Sequence, residues 1–104
     1  MKWKKLGLIF NPTEHNISWL QSHAMMPLPL EMKDRIRIFY SARHKDGKSR
    51  VSFVELNKDN PKEILNVHKE PILDIGSAGT FDDCGTIATC VLKNGNKVFL
   101  YYNG

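Results

Sequence analysis

The chain has 104 residues, 41% of them hydrophobic, 25% charged and 10% aromatic, with a formal net charge of +4. That balance is the balance of a folded domain and excludes a disordered or low-complexity chain. Lysines and arginines are spread along the whole length, so the positive charge does not single out a nucleic-acid surface.

The basic and then apolar opening Met1–Phe10 is broken by Gly7 and halted at Asn11-Pro12, too short for a secretory core segment. No stretch approaches the ~18 apolar residues that cross a bilayer. The expectation is a cytoplasmic protein with no membrane partner. Residues 1–23 form a lead-in. Met25, Met26, Leu28 and Leu30, cut by Pro27 and Pro29, make a first extended segment suited to an edge or irregular strand. It is expected to be the innermost strand. Arg35 to Ala42 alternates, with Ile36, Ile38 and Tyr40 on one face and Arg35, Arg37, Phe39 and Ser41 on the other. Lys45-Asp46-Gly47-Lys48 is a hairpin turn, because Asp-Gly tolerates positive φ. Val51 to Leu56 returns as a third strand, and Glu63 to Val67 forms a shorter, more polar fourth.

A long irregular stretch from Ile72 to Gly85 follows, punctuated by Gly76, Gly79 and Gly85. Thr86 to Leu92 and Lys97 to Tyr102 then pair across Asn94-Gly95-Asn96. Cys84 and Cys90 fall on what reads as one extended segment, about 20 Å apart at about 3.3 Å per residue. A disulfide needs about 7 Å, so both are predicted to be free thiols. Trp3, Tyr40, Tyr101 and Tyr102 are assigned to packing.

The two units share a rhythm at a period of about 60 residues with about four strands per unit, the pattern of a β-propeller. The chain thus reads as all-β, an antiparallel β-meander making about one and a half blades. Its divisions are 1–23, the lead-in; 24–71, the first blade; and 72–104, a loop and the start of the second. A propeller needs at least about four blades, which makes the chain an N-terminal part of something longer. A small closed barrel or sandwich is the alternative. The last strand, Val98-Phe99-Leu100-Tyr101-Tyr102, would leave an apolar edge through which the chain can self-associate.

The run Arg35-Ile36-Arg37-Ile38-Phe39-Tyr40-Ser41-Ala42-Arg43, a Gly turn, and Ser49-Arg50-Val51-Ser52-Phe53 resembles the first blade of five-bladed propeller glycosidases, particularly the β-mannoside phosphorylase-like group. Gly79-Thr80-Phe81-Asp82-Asp83-Cys84-Gly85 is similar to the loop with which that clan presents an acidic residue to its central cavity. The resemblance implies an inverting glycoside hydrolase or a glycoside phosphorylase acting on a carbohydrate at the propeller axis, with this chain alone inactive. Inversion uses one carboxylic acid and one carboxylate about 6.5 to 9.5 Å apart. In a phosphorylase, inorganic phosphate is the co-substrate and replaces the second carboxylate; no other cofactor is implied.

Asp83 is the first choice for the catalytic carboxyl, with Asp82 second. On an extended segment only one of two successive side chains faces a given cleft, while in an Asp-Asp-Cys-Gly turn both would accept backbone hydrogen bonds. Arg43, at a strand end, is a candidate for binding phosphate or vicinal hydroxyls with paired donors. His23 is a candidate for a sugar hydroxyl or a phosphate, with a satisfied structural histidine as the alternative, and Trp19 for an apolar platform under a sugar ring, with simple core packing as the alternative. His15, His23, His44 and His68 lack zinc spacing with the cysteines, so no metal site is expected. No phosphate-binding loop or nucleophile elbow occurs. The competing reading is a small, basic, non-catalytic β-domain that binds a sugar, a protein or nucleic acid. Steep weakening with salt would mark the last of these.

Overall fold

The two-residue alternation of side chains becomes six strands: β1 (Leu20–Glu31), β2 (Arg35–His44), β3 (Ser49–Asn57), β4 (Ile64–Val67), β5 (Ile87–Asn94) and β6 (Lys97–Asn103). The computed structural model describes residues 1–104. It contains a four-stranded antiparallel sheet in the order β1-β2-β3-β4 and a two-stranded antiparallel sheet, β5-β6. The chain is all-β, and no helix is long and apolar enough to cross a membrane.

The centre of the larger sheet is its most regular part. β2 and β3 pair without a break from Arg35↔Asn57 to Arg43↔Ser49, because both runs are rich in β-branched and aromatic residues. Gly47, at φ 78°, turns the chain between them, and the Asp46 carboxylate accepts the Lys48 N–H at 2.8 Å. β1 is different. It starts at Leu20, inside the stretch expected to be lead-in, and three register shifts interrupt its pairing with β2 between Leu20 and Leu28. His23 and Met26 adopt left-handed backbone at φ 72° and 52°. The prolines lie beside these irregularities, where a missing N–H costs least: β1 is a sheet edge.

Strand pairing sets the two faces of the sheet. Ile36, Ile38, Tyr40 and Ala42 share one face with Val54 and Leu56. Ile17, Trp19, Tyr40 and Ala42 form a buried cluster there, with Phe10, Leu20 and Val67 packed against it. Asn11 caps a short 3-10 turn, Pro12–Glu14, that aims this segment at the sheet, and the Phe10 ring lies 5.2 Å from Tyr40. No backbone hydrogen bond ties residues 1–10 to a strand. Trp3, assigned to packing, accordingly stands 91% exposed.

On the opposite face Phe39 meets Phe53 edge-on at 6.1 Å, and Phe53 is stacked on His68 at 4.5 Å. The guanidinium of Arg37 sits 4.3 Å over the Phe53 ring. β5 runs against β1, β2 and β3. It is held by the Ala88 N–H donating to the buried Ser41 hydroxyl at 3.2 Å and by the Thr86 N–H donating to the Ser49 carbonyl at 2.8 Å. The outer face of β5-β6 is uncovered, which is why Tyr101, also assigned to packing, is exposed.

Tyr40 is 1% exposed and its hydroxyl has no hydrogen-bond partner. Burial pushes its phenol up to about 12, while the facing Ser52 hydroxyl acts in the opposite direction. Ser52 is itself committed, donating to the Glu70 carbonyl at 2.9 Å. An orphaned buried hydroxyl costs about 1 kcal/mol or more. Tyr40→Phe should therefore raise the melting temperature, by roughly 4–8 °C for about 1 kcal/mol in a chain of this size. A fall on thermal denaturation would show that the hydroxyl is satisfied.

Candidate functional site

All five candidate residues lie at or beside the end of the larger sheet that carries the β2-β3 turn. Ser22, next to His23, pairs with Arg43; Leu20, next to Trp19, pairs with His44. The loop bearing Asp82 and Asp83 reaches the same end, where the Lys48 ammonium donates to the Asp83 carbonyl at 3.0 Å. The residue that organises this end is Arg50, which the sequence did not single out. Its guanidinium donates to Asp46 at 3.0 and 3.2 Å, to Asp74 at 2.7 Å and to the Lys48 carbonyl at 3.3 Å. It thereby clamps the hairpin turn to the start of the 72–86 loop. An isolated bridge between Val51 and Leu73 fixes the same junction through the backbone.

The loop itself is a turn, and the extended geometry that would split the two aspartates between opposite sides is absent. Asp82 is buried. One of its oxygens lies 3.0 Å from the Thr80 hydroxyl, and the other accepts the Tyr102 hydroxyl at 3.0 Å. This contact ties the loop to β6 and raises the Tyr102 phenol above its ordinary value. Asp83 accepts the Gly79 N–H at 2.7 Å. That bond, with a smaller contribution from Cys84, holds its carboxyl below the usual range. An ionised Asp83 can accept a proton or orient a hydroxyl; it does not carry a proton to donate at neutral pH. Asp83 in turn raises the Cys84 thiol, so Cys84 is a poor nucleophile. Cys84 lies in this turn and Cys90 on β5; both are free and exposed, as expected of unpaired thiols, although they do not share one extended segment.

Arg43, Ser49, Cys84, Gly85, Ile87 and Asn103 line an open cleft of about 290 Å³, together with Gly47 and Gly104. Gly85 is required where the loop crosses β3: at φ 149°, a Cβ there would come within 3.3 Å of the Ser49 nitrogen. The Arg43 side chain is exposed to this cleft and forms no ion pair. His23 is exposed as well, with its Nδ1 2.6 Å from the Ser22 hydroxyl.

Trp19 does not serve as an open platform. It is 8% exposed within the core cluster, and its indole N–H meets no acceptor. The residue with the properties sought in Trp19 is Phe81, 72% exposed on the loop, its ring 5.7 Å from Tyr102. A Cβ on Gly104, at the cleft wall, would touch Phe81 at 2.7 Å. An aromatic residue between Thr80 and the aspartates was the available signal, since a Phe within a Gly-rich polar loop has no strand face to pack on.

No known protein family matches the chain by its sequence profile, and no solved structure matches it. Two curated proteins of Mycobacterium tuberculosis are similar to it: uncharacterized protein Rv1502 (strain ATCC 25618 / H37Rv) and uncharacterized protein MT1551 (strain CDC 1551 / Oshkosh). Each is 37% identical over 105 residues, which cover 100% of this chain and 35% of the relative. The chain therefore spans about a third of the length of the curated relatives it matches.

Proposed function

We propose that the chain is the first blade and the start of the second blade of a five-bladed propeller, and that the longer protein is an inverting glycoside hydrolase or a glycoside phosphorylase. The observation that carries this reading is the convergence of Arg43, the Asp82-Asp83 loop and an exposed aromatic around one cleft, at one end of a β1-β2-β3-β4 meander. In a propeller the second-to-third-strand turn and the blade-to-blade loop open on the same end of the blade, so this end would face the substrate. Arg43 would orient the sugar or hold phosphate. The ionised Asp83 would act as base or position a hydroxyl, and the proton donor would come from blades outside these residues. The packing of β5 on the face of the first sheet is compatible with blade-on-blade stacking.

The expected result is no turnover of aryl glycosides, or of mannosides with phosphate, by the 104-residue chain, and turnover by a full-length relative such as the mycobacterial protein. Release of nitrophenol or of sugar phosphate measures both. Turnover by the short chain would refute the division of the site between blades. A full-length relative that binds sugars and cleaves none would overturn the enzymatic reading and favour a non-catalytic binding domain.

A further inference from the structure

The sequence contains four arginines, and three are neutralised. Arg35 pairs with Asp34 and Glu55, Arg37 with Glu55, and Arg50 with Asp46 and Asp74. Arg43 alone has no carboxylate partner, and it is the one that lines the open cleft. No acidic side chain shares that lining. The two nearby aspartates are engaged by Thr80, Tyr102 and Gly79, and Lys48 brings a second cation to the adjoining loop. The other polar side chains of the lining, the Ser49 hydroxyl, the Asn103 amide and the Cys84 thiol that Asp83 raises above its ordinary value, are neutral. A neutral sugar does not need such a field. Its hydroxyls are served equally well by carboxylates, which accept hydrogen bonds that guanidinium cannot. A planar, permanently charged fork without a counter-ion is matched instead by an oxyanion, which it binds through two parallel charge-assisted hydrogen bonds. Phe81 stands beside the same wall with its ring exposed, and an apolar ring face accepts the C–H face of a sugar.

The geometry points to a ligand that is an acidic sugar, its pyranose ring against Phe81 and its carboxylate or phosphate substituent on Arg43. This inference rests on the carbohydrate reading above and narrows its substrate class. Both side chains are exposed, so their truncation leaves the fold intact. The test is a titration of the 104-residue chain, amidated at Gly104 so that no terminal carboxylate enters the cleft, with glucuronate, glucose and inorganic phosphate at matched ionic strength, followed by amide shifts in the NMR spectrum. Glucuronate should bind roughly tenfold or more tightly than glucose, the increment expected of a hydrogen-bonded charged group, with shifts at Gly85 and Asn103. Arg43→Ala should abolish that difference, and Phe81→Ala should weaken both sugars alike. Equal binding of glucuronate and glucose, unchanged in Arg43→Ala, would overturn the acidic-sugar inference and leave the carbohydrate reading standing. Phosphate binding as tightly as glucuronate, with Phe81→Ala without effect, would replace the acidic sugar by a free oxyanion. Failure of the full-length relative on neutral and acidic glycosides alike would instead strike the carbohydrate reading itself.

Discussion

Glu55→Ala should lower the unfolding free energy by about 2–4 kcal/mol, somewhat less than the roughly 3–5 kcal/mol for removing one partner of a fully buried charged pair. Glu55 is 5% exposed in the middle of β3. It accepts hydrogen bonds from Arg35 at 3.3 Å, from Arg37 at 3.2 and 3.3 Å, and from Asn66 at 3.0 Å. Burial alone would raise its pKa, but the bonds from Asn66 and Arg37 and the charges of Arg37 and Arg35 outweigh it and hold the carboxyl below 4.5. Alanine at this position leaves Arg37 poised over Phe53 with no anion to bind, and strips β4 of its side-chain tie to β3. The arginines are partly exposed, so water recovers some of the loss, and the estimate is set below the upper end of the range for that reason. A urea midpoint lower by about 1 M or more would register the effect. Glu55→Gln, which keeps an acceptor, should lose less, and an unchanged midpoint in both variants would show that the network contributes nothing to stability.

The second large effect concerns Arg50. Arg50→Met keeps the apolar stem and removes the guanidinium, and should cost about 2–3 kcal/mol, the scale of a buried charge-assisted hydrogen-bond set. Amide exchange should also accelerate at Val51, Ile72 and Leu73, whose backbone bonds join the loop to β3. The pH dependence follows the same contacts. Bonds from Arg50 lead the lowering of Asp46 and of Asp74 below 3.8. A carboxyl with a depressed folded-state value contributes stability that is fully present above its unfolded value and is lost as pH falls through the folded one. These carboxyls should thus leave the parent chain insensitive to pH between about 5 and 9 and cost it stability progressively below about pH 4. Arg50→Met should show a shallower acid limb, because Asp46 and Asp74 then titrate nearer their unfolded values. Identical acid limbs would mean that these pairs carry no net stabilisation.

The pairing of β2 with β3 was readable because it needs only alternation and a turn: the run from Arg35 to Ala42 and the Asp46-Gly47 step specify both. The start of β1 was not, since its pairing is bulged at Ser22 and Met25 and no strict alternation survives bulges. Alternation assigned Arg37 and Phe39 to one face, yet it could not say that Glu55 would stand across from Arg37 until the register was known. The 72–86 loop was harder still. Its shape depends on partners distant in sequence, such as Arg50 for Asp74 and Tyr102 for Asp82, and the extended or turned state of Asp82-Asp83 follows from those contacts. Arg43 was read at a strand end, and its exposed side chain reaches the cleft because β2 pairs with β3 in unbroken register up to that residue. Trp19, a candidate platform for which core packing was the commoner alternative, is core, since burial of an aromatic ahead of a strand depends on which way the preceding turn at Pro12–Glu14 throws it.

The strand edges differ in kind. The outer edge of β1 is broken by bulges and two prolines, β4 offers four residues, and β5 is laid against the larger sheet. β6 is left as the regular, seven-residue edge, and between 43% and 54% of the surface of Val98, Phe99 and Tyr101 is exposed on it. A molecule with a single adhesive edge can satisfy it with one like edge only. Joining two copies in this way generates a two-fold axis that consumes both edges and leaves none for a third. For these 104 residues alone, the asymmetry of the edges thus favours pairs over cross-β polymers, which require an edge on each side of every chain; in the propeller proposed above the same edge would instead receive the next strand of the second blade.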